Sequence, residues 1–260
     1  MGSETKIAWT DATVNFIIGC SKLSEGCRNC YAATFASNRM GKPELWRGER
    51  QVTKGPWLLA RRLQREASAA GVRKRVFCGS MFDFFEAHPT NDATRPAMWD
   101  LIRACPNLDW QILTKRPERI AANLPADWGP DGWPHVWLGT SIEDARVVER
   151  AAHLVAVPAV VRFVSYEPAL GPLAEALAPF LPRLDWCIMG GESGPGFRPM
   201  DVQWARDMRA ACARADVAYF FKQSAAIRTE MGIELDGEIV RAYPTPRPAP
   251  SPAPASLFGD

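Results

Sequence analysis

Three cysteines, Cys20, Cys27 and Cys30, fall within eleven residues in the spacing Cys-x6-Cys-x2-Cys. Thiolates gathered this closely suit zinc and iron–sulfur clusters. A structural zinc site asks for four ligands. Only three thiols are local here, and the histidines, His88, His135 and His153, stand far along the chain. Three thiolates instead suit a cluster of four irons that leaves one iron open to a small molecule. Zinc completed from elsewhere, or three unligated thiols, are the other readings. The remaining four of the seven cysteines, Cys78, Cys105, Cys187 and Cys212, stand singly in apolar stretches and read as small core hydrophobes. An odd count behind a polar start, Met1 to Lys6, does not read as a disulfide framework.

The elements that must position these thiols follow from a repeating pattern. Short apolar runs recur at Val14 to Ile18, Arg75 to Cys78, Trp110 to Leu113, His135 to Leu138, Val161 to Val164, Trp186 to Met189 and Val217 to Phe221. They are apolar at successive positions, as strands of a parallel sheet covered on both faces are. Helix-like segments alternate with them: Pro56 to Ala69, Thr94 to Ala104, Ile142 to Val157, and Val202 to Ala215 with Asp201 as its N-cap. Alternation of this kind predicts an α/β fold, a full or partial (β/α) barrel with about seven parallel strands. An open doubly wound sheet fits the same pattern. The expected domain covers residues 1–243, with residues 20–55 as a cluster-binding insertion. Alternation around Asp236-Gly237 predicts a hairpin over 232–240, and residues 244–260 read as a disordered Pro-rich tail.

In parallel β/α folds ligands bind at the carboxyl ends of the strands. Each run here delivers polar groups there: Ser80 and Asp83 after the second, Lys115 and Arg116 after the third, Ser141 and Glu143 after the fourth, Glu167 after the fifth, Gly190-Gly191-Glu192 after the sixth, and Lys222 after the last. The cysteines follow the first run and hang over the same rim. Such a series predicts a polar pocket above the sheet.

The 260 residues are 47% hydrophobic, which excludes a wholly disordered chain, and no apolar run is long enough to span a membrane. A soluble, cytoplasmic protein is expected, with no membrane partner; the oligomeric state is not legible. The net charge of +2 averages a basic first half and an acidic second half. Basic groups cluster at Arg61, Arg62 and Arg65, at Arg73 to Arg75, and at Lys115, Arg116 and Arg119. They mark either ordinary solvated faces or a face for phosphates.

Ile7 to Thr13, Gly19-Cys20, Gly26 to Ala32, Leu113 to Arg119, Arg162 to Pro168, Gly190 to Pro195 and Phe220 to Gln223 together resemble a phage-associated protein family of uncharacterised function. That family is in turn similar to radical S-adenosylmethionine (radical SAM) enzymes, spore photoproduct lyase in particular. The resemblance implies that Cys20, Cys27 and Cys30 hold a 4Fe-4S cluster whose open iron takes the amino and carboxylate groups of S-adenosylmethionine. It implies reductive cleavage of the sulfonium to methionine and a 5′-deoxyadenosyl radical that abstracts hydrogen, so an electron donor is a partner. Two departures stand out. The usual first gap between cysteines is three residues, not six, and the Gly-Gly-Glu element comes after the sixth run rather than the second. Expected cofactor contacts are therefore Ser80, Asp83, Lys115, Ser141, Glu143 and Glu192, with Lys115, Glu167 and Lys222 as catalytic candidates. The substrate class expected is a nucleic acid or nucleotide; Phe82, Phe84, Phe85 and Tyr166 near the rim read as base-stacking rings or, more safely for most of them, as strand-flanking core. The competing readings are a zinc-stabilised nucleic-acid-binding protein without redox chemistry, and a methyltransferase using Gly190 to Gly196, whose glycines do not follow the nucleotide fingerprint.

Overall fold

The computed structural model describes residues 5–245. The main sheet begins with β1 (Ala12–Val14). A small antiparallel ribbon of β2 (Ile17–Ile18) and β3 (Gln51–Val52) stands apart from it. The sheet continues with β4 (Lys74–Cys78), β5 (Leu108–Thr114), β6 (Val136–Ser141), β7 (Val161–Tyr166), β8 (Trp186–Gly190) and β9 (Ala218–Gln223). These seven strands lie in chain order, each parallel to its neighbours, and curl into a half-barrel. The expected partial barrel is the one found.

Both faces of the sheet are apolar. Outward-facing side chains such as Val76, Trp110, Leu138, Val164 and Met189 pack in one core with the helices that cover them. Those helices are α2 (Gly55–Ala70), α3 (Pro89–Arg103), α4 (Glu149–Val155), α5 (Ala174–Leu177) and α6 (Val202–Arg214); α1 (Tyr31–Asn38) belongs to the cysteine insertion. The concave face carries a second core of Phe77, Trp137, Phe163, Trp186, Ile188 and Phe220, closed by Trp9. The Trp9 ring lies 4.6 Å from Phe77 and 6.1 Å edge-on from Trp186. Rings thus fill the lower half of the half-barrel and leave its upper half to polar groups. Cys78, Cys105, Cys187 and Cys212 are buried core thiols, as expected.

The expected run Val14 to Ile18 does not form one strand. Asn15 breaks it: its Nδ2 donates to Ser80 Oγ at 2.8 Å, and its Oδ1 accepts from the Met81 amide at 2.8 Å. Thr53 takes the carbonyls of Asn15 and Phe16. The backbone therefore leaves the ladder after Val14, and Ile17 and Ile18 pair with β3. The helix expected over 142–157 shortens to α4. Pairing of Thr114 with Thr140 and of Ser141 with Ser165 carries the neighbouring strands to their polar ends, and Asp144 then caps a short 3-10 turn by accepting from the Arg146 amide. The expected N-cap Asp201 accepts from the Gln203 amide at 2.8 Å. The hairpin over 232–240 is only a turn: Leu235 and Glu238 exchange hydrogen bonds around Asp236 and Gly237, both at positive φ. The chain then runs antiparallel along β9, where Phe221 N donates to Val240 O at 2.8 Å, so the edge strand is covered. Of the proposed tail, residues 246–260 lie outside the described residues. Among the described residues no helix is long and apolar enough to cross a membrane.

Candidate functional site

The carboxyl ends of the strands surround a cavity of about 520 Å³. Cys20, Cys27 and Cys30 all line it. Their loop leaves β2 through Gly19, whose φ of 122° suits only glycine. A Cβ there would stand 2.6 Å from the Leu45 carbonyl oxygen. Cys27 is buried, and Cys20 and Cys30 are half-buried. Burial, with the carboxylates of Asp83 and Glu86 close by, pushes the Cys20 thiol up.

Three buried carboxylates from the strand ends hold this loop. Glu86 accepts from the Ser21 amide at 2.8 Å and from Arg50 at 2.8 Å. Glu143 accepts from Ser24 Oγ at 2.9 Å, Lys115 Nζ at 2.5 Å and Arg150 at 3.0 Å. Glu192 accepts from Asn29 Nδ2 at 2.9 Å and from Arg198 at 3.0 Å. Arg116 adds a fourth tie, donating to the Ser21 carbonyl at 3.0 Å. Burial would raise each carboxyl, but Arg50, the Ser21 amide and Arg116 hold Glu86 below the usual carboxylate range. Lys115 and Arg150 do so for Glu143, and Arg198 and Asn29 for Glu192. Gly26 is where the loop meets Glu143 most closely: a Cβ would stand 2.4 Å from its Oε1.

This arrangement re-assigns several expected cofactor contacts. Glu143 does not line the cavity; it lies under the cysteine loop with its oxygens committed to Lys115, Ser24 and Arg150. Lys115 lines the cavity, but its ammonium is paired with Glu143. Asp83 also reaches the cavity, yet it accepts from Thr114 Oγ1 at 2.6 Å, from the amides of Phe85 and Lys115, and from Arg116. It knits β4 to β5. Glu192 faces the cavity while clamping Asn29. Ser80 and Ser141 line the wall, Ser80 being tied to Asn15 and to the Tyr31 hydroxyl. Glu167 and Lys222 do meet in the cavity wall: they pair at 2.9 Å, and Ser165 Oγ donates to Glu167 at 3.2 Å. Gly190 gives Glu167 its room, since a Cβ there would stand 2.6 Å from its Oε1.

Most of the rim aromatics are core, the safer of the two readings. Phe84, Phe85 and Tyr166 are fully buried in the core, and Phe82 alone of the four lines the cavity. The basic clusters do not make one face either. Arg73, Lys74 and Arg75 start β4, at the opposite end of the sheet, and pair with Asp109, Glu66 and Asp11. Arg61, Arg62 and Arg65 are exposed along α2. Sequence reading missed Glu86, Asn29, Arg198 and Tyr31. Asn29 and Tyr31 carried a signal, flanking Cys30; Glu86 and Arg198 meet the loop from segments 65 and 173 residues away.

No histidine joins the thiols: His88 bonds Thr90 and Gly48, and His135 bonds Ile102. Among the described residues no three His, Cys, Asp or Glu side chains converge as one metal ion requires. In a four-iron cube each thiolate takes its own iron, so the sulfurs stand around a cube rather than a point.

A family model described as a protein of unknown function (DUF5131) matches residues 4–244. No curated protein and no solved structure matches the chain.

Proposed function

The chain belongs to the DUF5131 family of proteins of unknown function, and from its site we propose that it is a radical SAM enzyme acting on a nucleic acid or nucleotide. The observation that carries this reading is the convergence of Cys20, Cys27 and Cys30 on one cavity at the carboxyl ends of a parallel half-barrel. The three thiols would hold a 4Fe-4S cluster and leave its fourth iron for a small molecule. When bound, such a cluster would pass one electron to the sulfonium of S-adenosylmethionine, breaking a carbon–sulfur bond to leave methionine and a 5′-deoxyadenosyl radical for hydrogen abstraction. The electron comes from a separate donor, and the cytoplasm is the compartment this chemistry suits.

The chain's own residues then have separable tasks. Glu86, Glu143 and Glu192 fix the cysteine loop over the strand ends, so that the thiols are placed before anything binds. Asp83 and Arg116 brace β4 against β5 and close the wall beneath Cys20. The aromatic floor built on Trp9, Phe77 and Leu113 keeps water from the lower cavity. Glu167 and Lys222 pair in the wall apart from the cysteine loop and Asp83, and they set a carboxylate and an ammonium beside the reacting volume. Ser141 and Ser165 present hydroxyls from adjacent strands to the same volume.

The test is turnover. Protein reconstituted anaerobically with iron and sulfide, then given dithionite and S-adenosylmethionine, is expected to release 5′-deoxyadenosine. A protein that holds zinc, no iron, and releases none contradicts the proposal and supports the zinc-stabilised alternative.

A further inference from the structure

We infer that the mouth of the cavity is a docking face for single-stranded nucleic acid. The inference rests on reading the cavity as a reaction site and narrows its partner from any nucleotide to a strand. Six cations line the cavity, Lys6, Lys22, Lys115, Arg116, Lys222 and Arg228, against three carboxylates, Asp83, Glu167 and Glu192. All three carboxylates are ion-paired inside the wall, with Arg116, Lys222 and Arg198. Lys6, Lys22 and Arg228 are exposed and make no ion pair among the described residues. Lys22 Nζ donates to the Arg28 carbonyl at 3.1 Å, which holds its ammonium on the cysteine loop. The exposed carboxylate of the same loop, Glu25, stands 3.6 Å from Arg198. The mouth is therefore positive where it meets solvent, and a concave positive site draws phosphates.

Exposed apolar side chains lie on the same segments as these cations, Leu23 next to Lys22 and Ile227 next to Arg228 in sequence, with Tyr31 and Phe35 on α1. Leu23 is 52% exposed, Tyr31 56%, Phe35 49% and Ile227 49%. Tyr31 lines the cavity, and Phe35 follows one turn later on α1, so the two rings share a helix face leading outward. Exposed rings together with cations match a nucleic-acid strand: base faces lie on rings, and phosphates meet ammonium and guanidinium groups. In a duplex the bases stack on one another and their faces are not free for such rings. A free nucleotide has no use for the part of the face beyond the cavity, where Phe35 and Arg28 stand.

Fluorescence anisotropy with a labelled oligothymidylate of about 16 nucleotides tests this. Tight binding to the strand and weaker binding to a duplex of the same length are expected. With three free cations on phosphates, affinity falls roughly 20-fold as salt rises about fourfold, from the single-strand slope of about −0.7 per contact. Lys22→Ala with Arg228→Ala flattens that slope. Phe35→Ala, outside the cavity, weakens binding at least about fivefold through lost stacking. A duplex bound as tightly as the strand, variants that bind like the parent, or no binding would overturn the inference. Iron measured on the same preparation separates the two readings. Strand binding without iron upholds the docking face and removes the redox chemistry; iron without strand binding does the reverse.

Discussion

Replacing Glu143 with Gln should both destabilise the fold and loosen the cysteine loop. The side chain is 2% exposed and serves two cations and one hydroxyl. Gln keeps the volume but removes the charge that compensates Arg150, itself 7% exposed as a side chain. Breaking a buried pair from one side costs about 3–5 kcal/mol, because the other charge stays buried. Lys115 is 20% exposed and can turn into cavity water, so its share falls to the surface range of about 0–1 kcal/mol. The total is about 3–6 kcal/mol, which for a domain of this size lowers Tm by roughly 6–24 °C. The same change weakens the Ser24 anchor, so buried Cys27 should react faster with a thiol reagent. A Tm within about 2 °C of the parent, with unchanged Cys27 labelling, would refute the clamp. The pH dependence has a definite sign. Lys115 and Arg150 outweigh burial and hold the folded Glu143 below its ordinary value of 4.5. The native state therefore binds fewer protons than the unfolded chain in that window. Its contribution is complete above pH 4.5 and is lost as pH falls through the lower folded value. The parent should show this acid loss, and the Gln variant should show less of it in urea unfolding at each pH.

Gly26→Ala attacks the same contact from the loop side: a Cβ 2.4 Å from Glu143 Oε1 must push the loop away, so Cys27 labelling should rise with a smaller fall in Tm. Gly139→Ala places a methyl 2.3 Å from the Phe163 ring, which is fully buried. Overpacking should lower stability by about 1–3 kcal/mol in urea unfolding without changing thiol reactivity. Lys222→Met removes the partner of Glu167 from a pair whose side chains are 18% and 16% exposed. Stability should change by less than about 1 kcal/mol and iron content should stay, while 5′-deoxyadenosine release falls; turnover at the parent rate would remove Lys222 from the chemistry.

The strands were legible because a parallel sheet covered on both faces writes itself as unbroken apolar runs, and Trp186 to Met189 or Arg75 to Cys78 could hardly be anything else. Their carboxyl ends were legible for the same reason, and most of the polar residues named there do reach the cavity. What periodicity does not carry is partner choice. Asn15 looks like any polar residue in a strand, yet two side-chain hydrogen bonds to the loop after β4 turn the chain out of the ladder. Glu143 and Glu192 look like free ligands at strand ends, yet the cysteine loop reaches back over more than a hundred residues to occupy them. Phe84 and Phe85 look like rim aromatics, but the rings of Trp99 and of each other enclose them. The most exposed rings, Tyr31 and Phe35, belong instead to α1, inside an insertion with no repeat to reveal it.

The central claim is that three thiols at one cavity hold a four-iron cluster. Iron and acid-labile sulfide measured on anaerobically reconstituted protein test it most directly. About four of each per chain are expected, with visible absorbance, and loss of both in a Cys20→Ala, Cys27→Ala, Cys30→Ala variant that still folds. The same iron in that triple variant, or one zinc and no iron in the parent, would contradict it.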